Sequence, residues 1–118
     1  MKTLVLGASL NPDRYSNKAI RSLRSHHHEV YAVGLDEGEV SGTEIIQDFP
    51  PEENIDTVTL YLNPENQKQY YHKIISAKPR RIIFNPGAEN TELEKMAQQN
   101  GIEALEACTL VMLNTGQY

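Results

Sequence analysis

Apolar residues recur along the chain in short, nearly unbroken runs, and the stretches between them alternate apolar with polar at helical spacing. Residues 2–6, 29–33, 57–62, 81–84 and 102–105 read as five strands, because continuous apolar runs closed by turn formers suit strands covered on both faces. A helix follows the first strand, with Ser16 or Asn17 as N-cap and Ala19, Ile20 and Leu23 as its apolar stripe, until the chain turns polar at Ser25 and residues 26–28. Asn63 and Pro64 are an N-cap with proline at the first helical position, which predicts a helix to about Ala77, ended by Lys78 and Pro79. Thr91 with Glu94 reads as a capping box for a helix to about Gln99, closed by Asn100 and Gly101. Residues 35–51 are too rich in turn formers for a long helix and predict a short hairpin or an irregular crossover. The apolar residues 110–113 predict a helical turn that packs back on the sheet.

This alternation predicts an α/β fold: a doubly wound parallel sheet of five strands between two helical layers, expected in the order 3-2-1-4-5. Ligands of such sheets bind outside the carboxyl ends of the strands, where the strand order reverses. For that order the point lies between the first and fourth strands. The loops flanking it are residues 7–16 and residues 85–88, the two strand exits most punctuated by glycine and proline. Gly7 permits close backbone approach, Ser9 offers a hydroxyl, and Arg14 carries a guanidinium fork suited to a phosphate. The first loop therefore reads as a phosphate cradle at a helix N-terminus.

Composition narrows the field. The 118 residues fit one domain, 1–118, and leave no room for a second one. No apolar run approaches membrane-spanning length, and the one that opens the chain stops at Asn11-Pro12-Asp13-Arg14, unlike a signal peptide. A single cysteine, Cys108, excludes an intrachain disulfide, and with the missing leader it points to the cytoplasm. The net charge of −5 argues against a general nucleic-acid binder. It leaves room for one small anion, because Arg14, Lys18, Arg21 and Arg24 cluster on and after the first loop while acidic residues concentrate between 29 and 56.

Gly7-Ala8-Ser9 followed by Asn11-Pro12-Asp13-Arg14-Tyr15-Ser16-Asn17 resembles the opening of the small stand-alone CoA-binding proteins. Their Rossmann-like fold is shared with the CoA-binding domain of the succinyl-CoA synthetase alpha subunit. The resemblance covers nearly the whole chain, continuing at Val40-Ser41-Gly42, Leu62-Asn63-Pro64-Glu65, Asn85-Pro86-Gly87-Ala88 and Cys108. It implies a site for CoA or acyl-CoA across the strand ends. Gly7, Ala8, Ser9, Arg14, Tyr15 and Ser16 would lie near the diphosphate, and Gly34, Asn63, Pro64, Asn85, Pro86, Gly87 and Ala88 would line the rest. Two positions depart from the family pattern. After the second strand this chain has Gly34-Leu35-Asp36-Glu37, where the family usually has a basic residue, and two carboxylates there would repel a phosphorylated ribose. Ala107 stands before the cysteine, where the family often has arginine.

Asp36 keeps a rival open, since a carboxylate beyond the second strand can bind a ribose hydroxyl as in NAD enzymes, although the G-x-G-x-x-G fingerprint is absent. His26, His27 and His28 read as a polar helix end rather than a metal site, because consecutive helical residues diverge. Cys108 reads as a packing residue, and of the tyrosines Tyr15 alone is expected near a ligand. No carboxylate pair, Ser-His-Asp order or metal-ligand spacing supports bond-breaking chemistry, so the sequence reads as a non-catalytic binding module. The alternatives are a nucleotide-dependent enzyme subunit and an interaction protein with a vestigial pocket, and a protein partner or a second copy of the chain stays open.

Overall fold

The computed structural model describes residues 2–50 and 54–118. At its centre lies β1 (Lys2–Ala8), in which Leu4, Val5 and Leu6 are all fully buried. Strand periodicity turns Leu4 and Leu6 to one face of the sheet and Val5 to the other. β2 (Glu29–Gly34) and β5 (Thr57–Leu60) flank β1 in parallel, and β6 (Arg81–Phe84) and β7 (Glu103–Glu106) extend the sheet beyond β5. Beyond β2, β4 (Thr43–Ile46) pairs in parallel, and β3 (Gly38–Val40) closes the edge antiparallel to β4.

The sheet therefore has seven strands in the order β3-β4-β2-β1-β5-β6-β7, rather than the expected five. The additional pair is the hairpin that the sequence left as one of two readings for residues 35–51, of which Pro51 lies outside the described residues. Ser41 and Gly42 both take positive φ, at 49° and 78°, which is the turn twist that joins two short strands directly. Because the hairpin fills the outer edge of β2, the strand at 57–60 pairs with β1 on its other side. The order reverses between β1 and β5, so the loop at 85–88 sits one strand further from the reversal than expected.

Helices cover both faces. α1 (Tyr15–Ser25) and α5 (Thr109–Asn114) bring Ile20, Leu23 and Leu113 against Val5. On the other face α3 (Tyr71–Ala77) and α4 (Thr91–Gln99) bring Ile74, Leu93 and Ala97 against Leu4 and Leu6. Three helix boundaries differ from expectation. Arg14 is the N-cap of α1, with extended backbone and no capping side chain, while Ser16 and Asn17 are buried inside the first turn. Asn90, not Thr91, caps α4 through Oδ1, which accepts from the Leu93 amide at 3.1 Å. The helix expected from Asn63 to Ala77 is divided into α2 (Pro64–Gln67), a tight 3₁₀ turn at Lys68–Tyr70, and α3. The division follows Gln67, whose fully buried side chain is fixed to neighbouring loops.

At the amino ends of the strands the buried Arg81 donates through Nε to Thr57 Oγ1 at 2.9 Å and stacks over the Tyr118 ring at 4.4 Å. This buried cation thus lies at the opposite end of the sheet from the glycine loops. No helix among the described residues is long and apolar enough to cross a membrane.

β1 and β2 approach most closely at Gly34, where a Cβ would stand 2.3 Å from the Ala8 carbonyl oxygen. Backbone cannot yield as a side chain does. Gly34→Ala is expected to destabilise the protein by about 2–3 kcal/mol, measured as a lower urea midpoint with unchanged slope. An unchanged midpoint would show that the strands separate there at little cost.

Candidate functional site

The site begins where β1 leaves its regular ladder. Leu6 pairs with Val33 and Ala8 with Gly34, so Gly7 is extruded as a bulge with φ 99°. A Cβ at Gly7 would meet the Tyr61 carbonyl carbon at 3.1 Å, so glycine is required both by the conformation and by the passing chain. Beyond it, residues 9–14 hold their own shape. Ser9 Oγ accepts from the Asn11 amide at 3.1 Å, Asn11 Oδ1 accepts from the Asp13 amide at 3.0 Å, and the Asn11 carbonyl accepts from the Arg14 amide at 3.1 Å. Asn17 secures the loop to the helix, donating through Nδ2 to the Ser9 carbonyl at 2.9 Å and accepting from Arg21 Nε at 2.8 Å.

The first intrahelical bond of α1 runs from the Lys18 amide to the Arg14 carbonyl at 3.1 Å. The amides of Tyr15, Ser16 and Asn17 precede it and have no acceptor within the helix. They carry the positive end of the helix dipole, and no acidic residue lies in that first turn. Arg14 stands at the same end, exposed, with its side chain free of hydrogen bonds and ion pairs to other described residues.

Two adjoining clefts open at these strand ends. The first, of about 360 Å³, lies between the residues Gly7, Ser9, Arg14, Tyr15 and Ser16 on one side and Tyr61, Asn63, Pro86, Gly87 and Ala88 on the other. The second, of about 300 Å³, shares Gly7, Ser9 and Arg14 and runs past Ala8 toward Gly34, Leu35 and Asp36, with Leu62, Asn66 and Tyr70 opposite. Of the residues picked from the sequence, all but Pro64 and Asn85 border one cleft or the other. Tyr61 and Tyr70 join Tyr15 there, contrary to the expectation for the tyrosines.

Asn85 is turned inward. Its Nδ2 donates to Thr59 Oγ1 at 2.7 Å and to the Leu60 carbonyl at 2.9 Å, and its Oδ1 accepts from the Thr109 amide at 2.9 Å. Its amide is thereby spent on tying β5 to the start of α5, and the loop it begins is a turn closed by the Ala88 amide on the Asn85 carbonyl at 2.8 Å. Pro86 and Gly87, the latter with φ 93°, occupy the middle of that turn. Pro64 begins α2, while Asn63 caps it, its Oδ1 accepting from the Asn66 amide at 2.9 Å.

Two buried amides that the sequence reading passed over fix the far wall. Gln67 Nε2 donates to the Leu62 and Ala88 carbonyls, both at 2.8 Å, and its Oε1 accepts from Asn90 Nδ2 at 2.8 Å. Asn90 also reaches Tyr71 Oη at 2.8 Å. The loops after β5 and β6 and the cap of α4 are thus one hydrogen-bonded unit. The only local signal was Asn90 three residues before Leu93, an N-cap spacing; nothing around Gln67 announces its burial.

The ionisable groups bordering the clefts differ in kind. Burial pushes the Tyr61 phenol up to about 12, and its buried hydroxyl has no hydrogen-bond partner among the described residues. Glu89 Oε1 takes the Gly87 amide at 2.8 Å, which removes that donor from the first cleft. Asp36 Oδ2 accepts from the Leu10 amide at 3.0 Å and binds the β2 exit to the β1 loop. Among the described residues no group of three or more His, Cys, Asp and Glu side chains could hold a metal ion. His26 instead closes α1, its Nδ1 lying 2.7 Å from the Ser22 carbonyl.

Topology and clefts together define a Rossmann-like domain, with its clefts at the carboxyl ends of the strands on either side of the reversal. The chain belongs to the CoA binding domain family, whose model matches residues 1–114. It is similar over 99% of its length, at 52% identity and a TM-score of 0.95, to 97% of a chain whose crystal structure is that of an uncharacterized protein. A Thermus thermophilus protein shares the fold at 21% identity and a TM-score of 0.88, with 99% of this chain and 90% of that one covered. A dinucleotide-forming acetyl-coenzyme A synthetase of Ca. Korarchaeum cryptofilum, solved with phosphate and ADP, shares it at 19% identity and a TM-score of 0.72, over 89% of this chain and 25% of that one. No curated protein matches the sequence.

The site separates residues that build it from one that is free to bind. Asn85→Ala removes three buried hydrogen bonds and strands the Thr109 amide, and is expected to cost about 2–4 kcal/mol of stability. Arg14→Ala is expected to stay within about 0.5 kcal/mol of the parent, because the side chain is exposed and unpaired. Parallel urea titrations check both, and a large loss in Arg14→Ala would reassign that residue to the scaffold.

Proposed function

We propose that this chain is a non-catalytic binding module for CoA or acyl-CoA, with the diphosphate at the N-terminus of α1. The observation that carries the reading is the coincidence, at the point where the strand order reverses, of unbonded first-turn amides and an unpaired Arg14 on the ridge shared by both clefts. Backbone donors and a helix dipole favour an anion, and a guanidinium can grip it through two parallel hydrogen bonds. The pantetheine arm would run along the first cleft past Asn63, Pro86, Gly87 and Ala88, and the adenosine half along the second past Ala8 and Gly34.

Membership of the CoA-binding family supports the ligand class, and one protein that shares the fold carries the name acetyl-coenzyme A synthetase. A binding role without chemistry is supported by the lining of the first cleft, where burial pushes the Tyr61 phenol up to about 12 and keeps it protonated at neutral pH. Such a module would hold an acyl-CoA for a partner chain or report its level, and the single Cys108 suits a reducing compartment such as the cytoplasm.

A ligand that binds the folded state alone raises the melting temperature with its concentration. Millimolar CoA is expected to do so for the parent protein, and Arg14→Ala is expected to weaken the apparent affinity about tenfold or more. The absence of any shift with CoA, or an equal shift in the variant, would contradict the assignment of the diphosphate to this loop.

A further inference from the structure

Resting on that placement of the diphosphate, we propose that the site selects an adenosine ribose with free hydroxyl groups and disfavours one carrying a 3′-phosphate. With the diphosphate at α1, the adenosine ribose falls at the exit of β2, as it does in sheets that reverse beside their first strand. That exit is Gly34, Leu35 and Asp36, all bordering the second cleft. Asp36 is held there by the Leu10 amide on Oδ2 at 3.0 Å, and its Oδ1 has no hydrogen-bond partner among the described residues. A fixed carboxylate with one unused oxygen is an acceptor for a ribose hydroxyl.

The surroundings strengthen the preference. Among the described residues Arg14 is the one basic residue that borders this cleft, and it stands on the ridge shared with the first cleft, where the proposed diphosphate would claim it. Glu37 follows Asp36 and, with Glu39 and Glu44, lines a neighbouring depression on the edge hairpin. A phosphate at the ribose would therefore meet negative charge with no cation of its own. Leu35, 89% exposed, offers an apolar surface beside the ribose for the adenine. Within the CoA class the preferred ligand is thus the dephospho form, unphosphorylated on its ribose, with CoA itself bound more weakly.

Isothermal titration of the full chain with CoA, dephospho-CoA and ADP at one ionic strength tests this directly. Dephospho-CoA is expected to bind about fivefold more tightly than CoA at low ionic strength, since the exposed Asp36 carboxylate repels a phosphate placed beside it even through water. In Asp36→Asn, which keeps an acceptor for the Leu10 amide, the gap should narrow; in Asp36→Lys it should reverse. If CoA and dephospho-CoA bind equally, or CoA more tightly, the proposal is overturned while the diphosphate site stands. A gap unchanged in both variants overturns the role of Asp36. If ADP and both CoA forms fail to bind, the diphosphate placement itself has failed and takes this proposal with it.

Discussion

The structure depends on how β1 ends. A parallel ladder that ran on regularly past Leu6 would leave no space at the strand ends, and the bulge at Gly7 interrupts it. With φ at 99° and the Tyr61 backbone where a Cβ would be, Gly7 lets the first loop swing out while the chain leaving β5 passes close beside it. From that one interruption the loop reaches the N-terminus of α1, whose early amides stay unbonded, and the clefts open on both sides of the ridge. Gly34 answers it on the β2 side, since a side chain there would collide with the Ala8 carbonyl and push the two strands apart.

Opposite the ridge, the wall is made rigid by buried polar side chains. Asn85 joins β5 and β6 to α5, and Gln67 joins the loops after β5 and β6 to the cap of α4. Buried amides are costly to leave unpaired, so a network in which each donor and acceptor is answered holds a loop in one conformation. The clefts thus have a mobile-looking composition, rich in glycine and proline, on a backbone held by buried amides. On the proposed reading an anion would meet donors already in place, with little ordering to be lost on binding.

Five of the strands, the layers and the first loop were legible in the sequence because each rests on local pattern: unbroken apolar runs such as residues 4–6, caps such as Asn63-Pro64, and the glycine at position 7. The strand order was not. Residues 38–46 carry weak strand signals, and only long-range pairing turns Ile45 and Ile46 into the partners of β2, which moves the reversal to β1 and β5. Arg14, Tyr15 and Gly87 could be placed from the loop chemistry, whereas Asn85 looked like a ligand residue and is a tie between strands. Gln67 was invisible for the same reason. A polar residue inside a helix gives no local sign that its partners come from residues 62, 88 and 90.

The most direct test of a diphosphate site at the end of β1 is an amide-resolved NMR titration of the isotope-labelled chain with an adenosine diphosphate ligand. The predicted result is that the signals of Tyr15, Ser16 and Asn17 move most, together with Gly7, Ser9 and Gly34, while those around Thr57 and Arg81 at the other end of the sheet stay still. Shifts centred on Arg81, or spread evenly over both ends, would contradict it and make the buried cation beneath Tyr118 the place to look.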